Sequence, residues 1–152
     1  MNIYIDADAL PVIAKELIIK TANRTGVMAT FVANSFIKLP PSPHLNMVVV
    51  AQGFDVADTY ITDHAQAGDL VITSDIPLAN DVIQKGAKAL TARGEEFTLN
   101  NIKSKLNAHD FMETLRGTGV LDPQQMGGQK PYGDKDKIAF ANGLNRLVRA
   151  LP

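Results

Sequence analysis

The spacing of apolar residues leaves this chain little freedom of fold. Short β-branched runs alternate with longer stretches whose apolar residues recur at helical intervals. "NIYID" (2–6), "MATFVA" (28–33), "NMVVVA" (46–51), "DLVITS" (69–74) and "AKALT" (87–91) read as strands. Helices are expected over 11–24, 55–67 and 77–85. Pro11 suits a first helical turn, and Gly26, Gly68 and Gly86 stand where each helix must stop. Antiparallel neighbours need only a tight turn, so connections this long imply parallel strands joined by crossover helices. The expected fold is α/β in three layers: a mostly parallel central sheet of about five strands, flanked by helices. The third run is almost wholly apolar, as expected of a strand buried on both faces.

After the fifth strand the pattern turns helical. Residues 101–119 read as two short helices and 136–151 as a last one, giving a helical C-terminal part. Between them runs "GVLDPQQMGGQKPYGDKDK", which includes the Gly-rich stretch 127–133. A loop of that length is expected to carry function or to lack order. With 152 residues and no internal repeat, the expectation is a single domain spanning 1–152.

The chain has no cysteine, which excludes disulfides, thiolate zinc sites and cysteine nucleophiles. A net charge of −1 advertises no general affinity for nucleic acid, so any such binding must come from a local patch or through a metal. The N-terminus does not read as a signal peptide, and no apolar stretch approaches the ~20 residues of a membrane helix. A cytoplasmic location and no membrane partner are expected.

The acids then sort themselves by strand end. In open α/β sheets ligands bind outside the carboxyl ends of the strands. Asp6 and Asp8 end the first strand, Asp75 follows the fourth, and Asp55 and Asp58 open the helix after the third. Asp69 precedes its strand and reads as a turn residue at the opposite edge. Asp63, five residues beyond Asp58 and about 140° around the helix, is expected to point away. Asp6 and Asp8 share one face of a strand, and Asp55 and Asp58 one side of a helix. Each could be explained locally: Asp55, Asp75 and Asp8 all stand where a helix cap is wanted. Asp6, at the end of an apolar strand, has no such excuse. Two unit charges 4 Å apart repel by about 4 kcal/mol at an effective dielectric near 20. A cluster of this kind therefore calls for bound protons or a cation, and oxygen donors without sulfur select Mg²⁺ or Mn²⁺.

The segments "YIDADALPV", "VANSFIKLPPSP", "GFDVADTYI", "GDLVITSDIPLA", "ARGEEFTLNNI" and "FANGLNR" together resemble the YaiI/YqxD family of bacterial proteins across essentially the whole chain. They also resemble the PIN-like nuclease superfamily. Its members end strand one with Asp, carry a "D-x-x-I" helix and close strand four with Thr-x-Asp. That resemblance implies metal ligands at Asp6, Asp58 ("DTYI") and Asp75 ("TSD"), and metal-dependent cleavage of RNA. Asp8 would be a further partner, and Asp55 would orient an attacking water. The superfamily's additional helical Glu has no clear counterpart here, so Asp8 or Asp55 would have to substitute.

Two other readings compete. "DADAL" also resembles the D-x-D-x-[TV] opening of haloacid-dehalogenase-like phosphatases, implying Asp6 as nucleophile, but Leu10 stands in the Thr/Val place. A PIN-like module that binds RNA or a protein without cutting is the third. For substrate contact the candidates are Asn34, Ser35 and Lys38 after strand two and Arg93 after strand five, with Tyr132 in the Gly-rich loop suited to base stacking. His44, His64 and His109 have no partner at ligand spacing.

Overall fold

The structure is a computed structural model that describes residues 1–53, 55–118 and 130–148. Its elements are β1 (Asn2–Asp6), α1 (Val12–Thr25), β2 (Met28–Ala33), β3 (Leu45–Val49), α2 (Val56–His64) and β4 (Leu70–Ile72). They continue with α3 (Ile76–Gln84), β5 (Lys88–Leu90), β6 (Glu96–Phe97), α4 (Leu99–Thr118) and α5 (Asp134–Leu147). Six strands form one sheet in the order β3-β2-β1-β4-β5-β6. All neighbours are parallel except β5 and β6.

The pleat divides the core in two. Ile3, Ile5, Phe31, Leu70, Ile72 and Leu90 face one side, where they pack with Ile18 of α1 and Phe140 and Leu144 of α5. Val32, Val71 and Ala89 face the other, against Ile61 of α2, Val82 of α3 and Ile102 of α4. Helices therefore cover both faces, as the expected three layers require. The alternation continues to Asp6, which shares its face with Tyr4 and turns toward α2 and α3.

The chain runs β1-β2-β3 to one side, returns through α2, and continues β4-β5 to the other. The order reverses between β1 and β4. At such a switch point the flanking loops diverge and leave a crevice at the carboxyl ends of the strands.

Three expectations need correction. β3 is an edge strand, not a doubly buried one; Val49 is 52% exposed. Its apolar residues are only partly buried, Leu45 and Met47 against one face's core and Val48 against the other's. Residues 101–118 belong to one 20-residue helix, α4, because no Gly or Pro interrupts them before Gly117. The sheet also gains an antiparallel sixth strand, β6, two residues long. Gly94 makes its turn possible: φ is +87°, and a Cβ there would sit 2.5 Å from the backbone of Ala139. The turn after β5 is thereby docked directly on α5. Of the Gly-rich stretch, 127–129 lies outside the described residues. Among those described, no helix is long and apolar enough to cross a membrane.

Candidate functional site

Asp6, Asp58 and Asp75 converge at the crevice between β1 and β4. Asp6 is the last residue of β1. The buried Thr73, just past β4, donates its hydroxyl to Asp6 Oδ2 at 3.0 Å and accepts from the Asp75 backbone N–H at 3.0 Å. One hydroxyl thus spans the switch point and fixes both acids. In the sequence Thr73 shows only as the first letter of "TSD", two residues before the acid it helps to fix.

Asp75 is the N-cap of α3, and its Oδ1 accepts the Leu78 N–H at 2.9 Å. The capping reading therefore holds, and it coexists with membership of the cluster. Asp58 lies in the first turn of α2 and meets Asp75 from the other side. Asp55 does not cap α2 with its side chain. It is exposed and holds a left-handed backbone, φ +64°, uncommon outside glycine though tolerated by Asp. Asp8 does not cap α1 either. Its Oδ1 accepts the Asn34 N–H at 2.8 Å, tying the loop after β1 to the end of β2.

The electrostatics follow from this crowding. Burial raises the Asp6 carboxyl above the usual carboxylate range; the Thr73 hydroxyl opposes the shift, and the charges of Asp75 and Asp8 reinforce it. Asp58 is pushed up to about 7, first by burial, then by the charges of Asp75 and Asp6, by the hydrogen bond its protonated form makes to Asp75, and last by Asp55. Approaching neutral pH, Asp58 still carries a proton part of the time, where an isolated Asp would have lost it.

Among the described residues, no group of three His, Asp or Glu side chains stands ready to hold a metal ion together. The donor chemistry nonetheless fits a hard cation. Mg²⁺ keeps several of its waters and needs only one or two carboxylates, and here oxygen donors are already forced together against their repulsion.

Two hollows flank the crevice. One, of about 250 Å³, lies between Asp6, Asp8, Thr73 and the start of α1. The other, of about 230 Å³, runs between α2 and α3 and is lined by Asp55, Asp58 and Asp81. Asp81 was not anticipated, because only the packing of α3 against α2 brings it there. Asp63 lines this second hollow too, contrary to the expectation that it points away, although it adds nothing to the shift at Asp58.

The candidate substrate residues divide. Asn34 sits beside Asp8 through its backbone, and Ser35 and Lys38 are exposed in the loop beyond it. Arg93 is engaged: Nη1 bonds Asp136 at 2.9 Å, Nη2 reaches the Lys130 carbonyl, and the guanidinium lies 5.6 Å from the Tyr132 ring centre. It secures the segment leading into α5. His64 stacks on Tyr60 at 3.9 Å between ring centres.

The sequence profile described as "Uncharacterized BCR, YaiI/YqxD family" matches residues 4–150. A UPF0178 protein of Psychrobacter cryohalolentis is 64% identical over 149 residues, covering 98% of this chain and all of the relative. A UPF0178 protein of Thioalkalivibrio sulfidiphilus is 52% identical over 148 residues, covering 97% of this chain and 98% of the relative. No solved structure matches. Over essentially its whole length, the chain belongs to the YaiI/YqxD family.

Proposed function

We propose that the protein is a PIN-like, divalent-metal-dependent nuclease that hydrolyses phosphodiesters, with RNA the favoured substrate and Mg²⁺ or Mn²⁺ the cofactor. The observation that carries this reading is the crowding of Asp6, Asp58 and Asp75 at the switch point, with Asp58 raised to about 7. Carboxyls shifted by burial and by like charges cluster at functional sites, which is the support this crowding gives.

Asp6, Asp58 and Asp75 would hold the cation, whose charge neutralises the phosphate and activates water when bound. The chain's own residues do the rest. Thr73 keeps Asp6 and the Asp75 backbone in register. The α3 cap immobilises Asp75. Asp58 closes the cluster from the α2 side, and the repulsion that, after burial, raises its carboxyl in the metal-free chain is what a bound cation would relieve. Asp55, exposed at the mouth, would orient water. Lys38 and Ser35 meet the backbone of an incoming strand from the β2 side. A cytoplasmic location goes with this reading.

A second reading, a PIN-like module that binds RNA or protein without cutting, is favoured by the absence of a ready three-group metal site among the described residues. The phosphatase reading remains the weaker match in residues, because Leu10 stands in the Thr/Val place of that motif.

The deciding experiment is cleavage of labelled single-stranded RNA with Mn²⁺, comparing wild type with Asp6→Asn and Asp75→Asn. The nuclease reading expects losses of order 10²–10³-fold with folding unchanged by circular dichroism. Binding without cleavage by all three proteins selects the module.

A further inference from the structure

A third hollow, of about 230 Å³, opens beside the acidic crevice and shares Ala9, Pro11, Ser74 and Ala92 with the first. Its wall and floor are unlike anything near Asp6. Phe97, 4% exposed, and Ile76 supply apolar surface, and the Tyr132 ring closes one side. The rim carries two cations, Arg93 and Lys105, but neither charge is free. Arg93 is paired with Asp136 and Lys105 with Glu95, and Lys105 also lies over the Phe97 ring at 5.9 Å. The Tyr132 hydroxyl is spent too, donating to the Ala92 carbonyl at 2.6 Å.

A pocket with an aromatic wall, an apolar floor and internally balanced charges does not suit a phosphate, which needs uncompensated cations or free N–H groups. It suits a flat, uncharged group with a polar edge. We propose that this hollow is a nucleobase pocket, which seats an unpaired base while the adjoining phosphate faces Asp6 and Asp75. The pairing of pocket and phosphate rests on the hydrolytic reading above; the pocket itself does not. A base can enter only if it is out of the stack, so the substrate is a single strand or an unpaired loop. The pocket belongs to a preformed wall: Gly94 packs its turn on Ala139, and Arg93 fixes Tyr132 and the start of α5.

The test is amide chemical-shift titration of the metal-free full chain with adenosine and with uridine, against ribose 5-phosphate as the baseless probe. The nucleosides are expected to shift Thr91, Ala92, Phe97 and Lys105, and ribose 5-phosphate to leave them in place. Tyr132→Ala is expected to weaken nucleoside binding about tenfold, the scale of losing one stacking surface. Lys105→Ala, on α4, removes the rim side chain that lies over Phe97 without touching the Tyr132 tether, and is expected to weaken it severalfold. The proposal is overturned if nucleosides shift none of these amides by ~10 mM, if ribose 5-phosphate shifts them equally, or if both variants bind like wild type. Mn²⁺ added to the same samples reads the other claim separately. Nucleoside shifts without Mn²⁺ effects at Asp6 and Asp75 keep the pocket and remove the hydrolysis. Mn²⁺ effects without nucleoside shifts do the reverse.

Discussion

Asp69 and Asp6 stand at opposite edges of the same two central strands. Asp69 immediately precedes β4 and is only 6% exposed, yet both its oxygens are occupied. Oδ1 accepts from the Asn2 N–H and Oδ2 from the Gln66 N–H, each at 2.9 Å. It fastens the start of β1 to the loop before β4. Asp6, at the far end of β1, has one neutral donor, Thr73, and stands in mutual repulsion with Asp75, Asp8 and Asp58. One aspartate is buried to hold the sheet together; the other is held in place at a cost to the sheet. At the amino edge of this fold a charge is satisfied, and at the carboxyl edge it is kept available.

The largest effect should come from breaking the satisfied end. Asp69→Ala removes two hydrogen bonds to a buried charge and leaves two N–H groups facing nothing. Its cost is expected to be about 3 kcal/mol in urea unfolding at pH 7. Asp6→Asn should move stability the other way, raising the unfolding midpoint, because an amide keeps the Thr73 bond without the repulsion. If both substitutions destabilise comparably, the contrast between the edges is wrong.

Next in size is Asp58, whose effect depends on pH. Its folded-state pKa is raised from 3.8 to about 7, so the folded chain keeps a proton that the unfolded chain gives up. The resulting stabilisation is complete below pH ~4 and is lost as pH rises to ~7. The full shift corresponds to roughly 4 kcal/mol, and solvent at this half-exposed site leaves about 1 kcal/mol. Asp58→Asn should therefore gain about 1 kcal/mol over wild type at pH 8 and nothing at pH 4. Thermal melts at the two pH values read this directly; a gain independent of pH would contradict it.

The smallest effect concerns Lys38, exposed beyond Ser35. Lys38→Ala should change stability by under about 0.5 kcal/mol. If the β2 side guides a strand toward the acids, the salt dependence of RNA binding should fall by about one charge. An unchanged salt slope would leave Lys38 an ordinary surface residue.

These contrasts were partly legible in the sequence. β1 and β2 have the expected limits, because β-branched runs bounded by turn residues fix short parallel strands locally. The rule about strand ends groups five acids at one edge, and the resemblance to PIN-like domains singles out Asp6, Asp58 and Asp75 among them. What escaped depends on partners far along the chain. The Thr73–Asp6 bond joins residues 67 apart, as does the Asn2–Asp69 bond. The Arg93–Asp136 pair spans 43. β6 is too short to show a period and exists only because Gly94 lets the chain turn against α5. β3 was misjudged because an apolar run does not say whether a neighbour lies on its outer side.

The central claim is that the repulsion among Asp6, Asp58 and Asp75 is kept for a cation. Calorimetric titration of Mn²⁺ into scrupulously metal-free protein at pH 7.5, beside Asp6→Asn, tests it most directly. A saturable binding event in wild type, abolished or weakened at least tenfold in Asp6→Asn, is the predicted result. No heat of binding in wild type, or equal binding by the variant, would contradict the account.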